Sequence, residues 1–502
     1  MHKFFIVLFG LQLAYANLLW INYDGHFYLS NTSNNNSVAA ADYYNDMNVT
    51  GWANLMISTL GQQDDSIQAY GVGYLEGVVT SSLIDDYWST FITTDIYQFL
   101  TDDVVNYILD NYTWMTKMAS NNKTSTERSK YWRQVSLVLE QINGLVDGYL
   151  SVSNKLTKLD ILVLHYSAEI EDIYSKYNDS HKQTKYPNHC TSLVKILDNG
   201  LDLFAAHTTW SDYLYMLRIA KTYILNYHSI VSKTVYTTSY PGVIVSFDDY
   251  YLTDQGLVIM ETSNNIYNQS LYQKLSVNTV PYWIRTTVAN RMTDNGLDWC
   301  NYFSLYNSGT YNNQWQVIDY KRFATDATNG LLYVLEQIPG EVHFEDLSGL
   351  LAKQKYFPSY NVPFFPSIYN TSGYGEMYEK YGDEYSYQSN PRANILRQRQ
   401  SDVVDLKSLF WLIRYNDYQS DPYSLGDACN SVAARCDLNL VGSMPFGAID
   451  AKMTSSLLAP EGITYIVSGP TNQNQPVFRW DSWPNITHTG QPNIFDFGTT
   501  FI

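Results

Sequence analysis

Cys190 stands where a polar stretch of chain turns apolar. Residues 176–189 (KYNDSHKQTKYPNH) carry a glycosylation sequon and Pro187, with almost no apolar content, and read as an exposed linker. Cys190 then opens an apolar run that ends at Leu197. A thiol at the exposed start of a strand is an odd core residue, but it is well placed to be a nucleophile revealed by cleavage. If the His189–Cys190 bond breaks, Cys190 gains a free α-amine, which titrates near ~7.7–8.0 in model peptides. That amine can serve as general base for its own thiol, so no second side chain is needed. The same thiol can drive the cleavage by attacking the preceding carbonyl, giving a thioester that water opens.

Other chemistry is hard to find. The sequence has no His-Glu-x-x-His, Cys-x-x-Cys, Gly-x-Ser-x-Gly or papain-type signature, so neither a metal nor a cofactor is expected. Gly71-Val-Gly73-Tyr-Leu-Glu-Gly77 has the wrong spacing for a dinucleotide loop and reads as helix packing or a turn. Asp102-Asp103 and Asp248-Asp249 are adjacent carboxylates that point apart on a helix or strand and read as solvated surface. Four cysteines allow three full pairings. Cys429 and Cys436 are close enough to close a small loop in an oxidising compartment. That leaves Cys190 and Cys300 as thiols, and Cys300 beside Trp299 reads as a small buried apolar side chain.

The elements that must position Cys190 are partly legible. Cys190–Leu197 and Leu201–Ala206, joined by Asp198-Asn199-Gly200, read as a β-hairpin. Thr209 with Asp212 resembles a capping box, which predicts a helix with Tyr213, Leu214 and Leu217 on its apolar face. Strands are expected at Gly242–Phe247, Gly256–Thr262, Trp315–Tyr320 and Leu331–Glu336. Upstream, Val135, Val138, Leu139, Ile142, Leu145, Val146 and Tyr149 share one helical face, and residues 60–175 read mostly helical. The expected organisation is a signal peptide at 1–16, a mostly helical segment at 17–189 and a β-rich segment at 190–502.

The 502 residues are 45% hydrophobic and 16% charged, which excludes bulk disorder. Lys+Arg 31 against Asp+Glu 49 gives −18, a balance that repels phosphate backbones and argues against nucleic-acid binding. Met1-His2-Lys3, the apolar Phe4–Leu13 and the small-x-small Ala14-Tyr15-Ala16 form a signal peptide, too short to span a bilayer. No other stretch reaches 18 apolar residues, so no transmembrane anchor is expected. Sequons at Asn31, Asn35, Asn48, Asn111, Asn122, Asn178, Asn268, Asn370 and Asn485 read as glycosylated surface loops of a secreted or lysosomal lumenal protein.

From Cys190 onward the sequence resembles the phospholipase B-like family of lysosomal N-terminal-nucleophile hydrolases. The resemblance rests on His189-Cys190-Thr-Ser-Leu-Val-Lys, on His207-Thr-Thr-Trp210-Ser-Asp-Tyr, on Tyr306-Asn-Ser-Gly-Thr-Tyr-Asn-Asn-Gln-Trp315, on Pro358-Ser-Tyr-Asn361 and on Pro391-Arg-Ala393. Residues 70–80 match more weakly, and coverage is nearly the whole mature chain. The resemblance implies an α+β fold, the αββα four-layer sandwich of N-terminal nucleophile hydrolases, cut into residues 17–189 and 190–502 that stay together. It implies Cys190 as nucleophile, Asn361 as an oxyanion donor, and Arg392 as a group that orients the site or meets a carboxylate or phosphate. His207 and Trp210 would line the pocket, and Ser263 sits where the family tends to have threonine. Each has a plainer role available: a helix cap for His207, core for Trp210, a turn for Asn361 and an ion pair for Arg392. Gly426 replaces the first cysteine of a short family Cys-x-x-Cys, so the disulfide has moved, and Cys300 has no family counterpart.

These readings point to a self-cleaving cysteine hydrolase that removes acyl groups from phospholipids through a thioester. The alternatives are an amidase on N-acyl or peptide amides and a non-catalytic lumenal glycoprotein. The expected partners are a lipid or acyl-amide substrate and the chain's own cleaved N-terminal fragment.

Overall fold

The computed structural model describes residues 18–121, 127–178, 190–323 and 327–502. The expected signal peptide, Asn122 and His189 lie outside the described residues. Two large sheets dominate. The larger has eleven strands, running from Glu341–Asp346 at one edge through Leu332–Ile338, Asn313–Asp319 and Leu257–Ser263 to Phe27–Ser30 at the other. Its neighbours are antiparallel except at one seam, where Trp52–Thr59 lies parallel to Ile219–Ile224 in register Ala53↔Ile219 to Ser58↔Ile224. That seam joins chain from before Cys190 to chain from after it. Backbone hydrogen bonds therefore tie the two segments together whether or not the bond before Cys190 is intact.

The smaller sheet has seven strands. Cys190–Ile196 lies between Tyr356–Ser359 and Leu203–Asp212, and Leu203–Asp212 also pairs with Asp450–Ser455. The Cys190 strand is buried at every residue. Val194 and Ile196 pack with Leu252, Val258 and Met260 of the larger sheet. Leu193 faces the other way, packing with Ile395, Leu396 and Leu409 from the helices Pro391–Arg399 and Leu406–Ile413. Cover on both faces explains why this strand reads as a continuous apolar run rather than an alternation. The far face of the larger sheet, with Ile57, Ile259 and Val317, is covered by Val72, Leu75, Val138 and Ile142 from helices Asp65–Val79 and Glu127–Leu150.

Those two helices touch backbone to backbone. A Cβ at Gly73 would fall 1.8 Å from the Gln141 carbonyl oxygen, and one at Gly148 would fall 2.1 Å from that of Tyr74. The glycine-rich stretch at 71–77 is therefore a helix crossing, and larger side chains there would force the pair apart.

Several expectations are corrected. Of the described residues before Cys190, those up to Thr59 are mostly strand, because Leu19–Tyr23, Phe27–Ser30, Ser37–Asp46 and Trp52–Thr59 belong to the larger sheet with only the one-turn helix Met47–Thr50 among them, and the long helices begin at Asp65. No helix follows Thr209: the strand runs on to Asp212, which caps a single 3₁₀ turn by accepting from Leu214 N at 2.8 Å. Gly242–Phe247 is not a strand. The buried Lys221 Nζ takes the Tyr240 and Val243 carbonyls at 2.9 and 2.5 Å, so these acceptors join no ladder. Asp248 and Asp249 are fully buried rather than solvated. Asn111 is not a surface sequon: it is 2% exposed, and its amide donates to the Val277 and Thr279 carbonyls at 2.7 Å, which closes it to a glycan in the folded chain. Asn31, Asn35, Asn48, Asn268, Asn370 and Asn485 are exposed, and Asn178 is half-buried. No helix among the described residues is long and apolar enough to cross a membrane. Cys429 and Cys436 are disulfide-bonded, while Cys190 and Cys300 are buried thiols.

Candidate active site

The hairpin places Cys190 opposite Thr209, at the end of the smaller sheet and against the larger one. The site is a cavity of about 300 Å³, with Cys190, Thr209, Trp210, Ser263, Asn264 and Tyr311 among its wall residues. Ile96, Phe99, Phe247, Met444 and Phe446 add an apolar side. Ile96 and Phe99 come from before Cys190 in the chain, so both segments build the walls. Cys190 is thus not on an exposed strand end: it is 1% exposed and forms part of the cavity wall.

Glu261 Oε1 accepts from the Cys190 thiol at 4.0 Å and from Tyr311 Oη at 3.1 Å. Burial and the Glu261 charge push the thiol well above its usual range, although Lys452 pulls the other way. Burial also raises the Glu261 carboxyl. His207 lies behind the wall. Its Nε2 is 2.8 Å from the Glu261 carbonyl oxygen, an acceptor only, so Nε2 carries the proton and Nδ1 keeps its lone pair. Burial and the Lys452 charge hold the ring down to about 3, so it is neutral. Such a ring is a poor general base. The donor atoms of Cys190, His207 and Glu261 all lie within 4.8 Å of one another, a set that can hold a metal ion.

The remaining residues divide. Trp210 and Ser263 are on the wall. Arg392 is buried, with its guanidinium 4.3 Å over the Trp210 ring. It donates to the Cys190 carbonyl at 2.7 Å, to Thr191 Oγ1 at 3.1 Å and to the Tyr360 carbonyl at 2.7 Å. Those contacts fix the backbone at Cys190. Asn361 sits off the cavity wall in a left-handed turn (φ 65°), its amide donating to the Ser263 carbonyl at 2.7 Å. The Asn307 and Asn312 side chains hold a turn, at 3.0 Å to the Ile338 carbonyl and 3.0 Å to that of Gly309, which sets Tyr311 on the wall.

Beneath Thr209 lies a buried charge network. Asp450 accepts from Thr209 N at 2.9 Å, from Arg218 at 2.8 Å and from Lys452 at 2.8 Å, and Lys452 also reaches Thr209 Oγ1 at 2.5 Å. Asp248 accepts from Lys452 at 2.7 Å and from Arg218. Burial opposes ionisation of Asp248, but the Arg218 and Lys452 charges hold its carboxyl below the ordinary range.

Two glutamates brace the walls. Glu169 accepts from Thr310 Oγ1 at 2.6 Å and Tyr282 N at 3.1 Å, and Glu336 accepts from Phe364 N at 2.7 Å and Phe365 N at 3.1 Å. Burial raises both carboxyls from 4.5 to about 7. Their stabilising contribution is complete below pH 4.5 and lost as pH rises through 7. His165, which burial lowers from 6.5 to about 3, opposes them as pH falls below 6.5. His207, likewise held down to about 3, opposes them in the same way, while Glu261, which burial raises from 4.5 to about 8, adds to them. Three carboxyls outweigh two imidazoles, so the protein should be more stable at pH 5 than at pH 7.5, by on the order of a few kcal/mol. Thermal melts across that range check this, and a melting temperature that climbs toward pH 7.5 would contradict it.

The sequence matches the Phospholipase B family over residues 39–502. "Phospholipase B-like protein B" of Dictyostelium discoideum is 36% identical over 500 residues, covering 94% of this chain and 86% of that protein. "Phospholipase B-like 1" of Homo sapiens is 35% identical over 503 residues, covering 96% and 90%. Among solved structures, a conjugated bile acid hydrolase mutant from Clostridium perfringens aligns with a TM-score of 0.34 and 13% identity, over 57% of this chain and 90% of that one. That likeness is too distant to bear on fold or activity. Matches of this extent to whole relatives support a hydrolase and leave one assignment: the chain belongs to the phospholipase B family.

Proposed function

We propose that the protein is a self-cleaving cysteine hydrolase of the N-terminal nucleophile type, with a four-layer αββα arrangement, that removes acyl groups from phospholipids. The packing of helices, larger sheet, smaller sheet and helices supports the layer order. The observation that carries the mechanism is the state of Cys190. It is a thiol on a cavity wall, held in its protonated form by burial, beside a histidine too weakly basic to take its proton. Cleavage of the bond before it would supply the missing base as the residue's own α-amine.

In that mechanism the amine takes the thiol proton and the thiolate attacks the acyl carbonyl. The tetrahedral oxyanion needs donors. Family resemblance assigns one to Asn361, and Asn264 offers a buried amide on the wall. Collapse expels the alcohol, which takes the proton back from the amine, and water then opens the thioester. Arg392 acts as a positioning residue through the Cys190 carbonyl. The apolar walls suit an acyl chain. The signal peptide and the six exposed sequons support passage through the secretory pathway to secretion or a lysosomal lumen.

A substrate panel tests the reading. Cleaved protein should release fatty acid from phospholipids or lysophospholipids faster than from N-acyl amides. Preference for the amides would make it an amidase, and no release from any of them would favour a non-catalytic glycoprotein.

A further inference from the structure

Three side chains that can ligate a metal meet where the wall residue Cys190 backs onto His207 and Glu261, behind the cavity wall. His207 donates from Nε2 to a backbone carbonyl, the contact that fixes the tautomer of metal-ligating imidazoles, and its buried Nδ1 has no hydrogen-bond partner. Glu261 accepts from Tyr311 at one oxygen, and its buried Oε2 also has no partner. The Cys190 thiol is the third, and all three side chains are fully or almost fully buried. Buried polar atoms without partners are costly and call for an explanation. Thiolate, imidazole and carboxylate are the ligand types of a zinc site with one position open. Donor atoms within 4.8 Å of one another need only a small contraction to reach a shared ion at ~2.0–2.3 Å. One thiolate and one carboxylate neutralise the charge of a divalent ion, which suits a buried site.

We infer that Cys190, His207 and Glu261 form a zinc site that holds the thiol out of reaction. On binding, the thiol gives its proton to buffer, as does the Glu261 carboxyl where it is protonated, while imidazole binds through its free lone pair. The fourth position takes water. In a cleaved chain it takes the Cys190 α-amine, which closes a five-membered chelate with the sulfur. Binding needs only the three side chains. The inhibition that follows rests on the reading of Cys190 as nucleophile.

Equilibrium binding separates the two. The metal-free protein is titrated with zinc against a chromophoric chelator, and separately with Co²⁺, whose thiolate charge-transfer band reports sulfur ligation. One equivalent should bind with that band present. Cys190→Ser should abolish the band. Both Cys190→Ser and the near-isosteric Glu261→Gln should weaken zinc by at least the ~10–100-fold that loss of a mere outer-shell partner costs. Folding of each variant is checked by its melting curve, and the two substitutions change the site's shape little. A protein that binds zinc in this way but never turns over would keep this inference and remove the hydrolase reading. Absence of the cobalt band, or zinc affinity unchanged in both variants, would overturn it.

Discussion

Replacing Cys190 with alanine should leave the chain whole under conditions in which the parent becomes two pieces, residues 17–189 and 190–502. In the proposed mechanism the thiol attacks the carbonyl before it, and alanine removes that attacking atom while keeping the backbone. The alanine side chain fits the same strand, and the Arg392 contact to the residue-190 carbonyl survives because it is made to backbone. The uncut variant should therefore fold, melt close to the parent and show no turnover, since it lacks both nucleophile and α-amine. The readout is a denaturing gel followed by N-terminal sequencing. Cleavage of the variant at the same bond would assign the cut to an outside protease.

Arg218→Met carries the largest expected cost in stability. Arg218 is fully buried, lies 4.7 and 4.6 Å over the Trp52 and Tyr240 rings, and bridges Asp248 to Asp450. Methionine fills much of the volume but leaves two buried carboxylates with Lys452 as their remaining cation. Breaking a buried charge set from one side costs about 3–5 kcal/mol. The network also holds Thr209 opposite Cys190, so cleavage of the surviving folded protein should slow as well. Urea unfolding measures the first effect. Adding Asp248→Asn to Arg218→Met should recover part of the loss, because one orphaned charge goes with it. A single variant within about 0.5 kcal/mol of the parent, the range of ordinary surface changes, would mean the network does not hold the sheets.

The hairpin that opens at Cys190 is legible because its signals are local: two apolar runs, Asp198-Asn199-Gly200 between them, and Gly200 at φ 71°. The helix Glu127–Leu150 was legible because its buried face repeats at helical spacing. The strands before Asp65 were not, because an Asn- and Tyr-rich stretch takes its strand character from tertiary pairing rather than from propensity. Asp248 was misread because its partners are far along the chain, Arg218 by 30 residues and Lys452 by 204. Motif spacing assigns no role to Glu261. A carboxylate closing the apolar run Leu257-Val-Ile-Met-Glu261 is itself a signal, since buried charge is the informative exception in a core. Lys221 and Lys452, inside strands and fully buried, carry the same signal. Spacing rules find residues that act within one element, and this cavity draws its groups from both sheets.

The central claim is that Cys190 becomes an N-terminal nucleophile that carries an acyl group. Cleaved protein is mixed with a phospholipid that it hydrolyses and quenched in acid, where thioesters survive. The mass of the peptide beginning at residue 190 is then measured. The account predicts that this peptide gains one acyl group, released by hydroxylamine and absent when the thiol has first been alkylated. Turnover of the phospholipid by a protein whose Cys190 peptide never gains that mass, or whose chain remains uncut before Cys190, would contradict it.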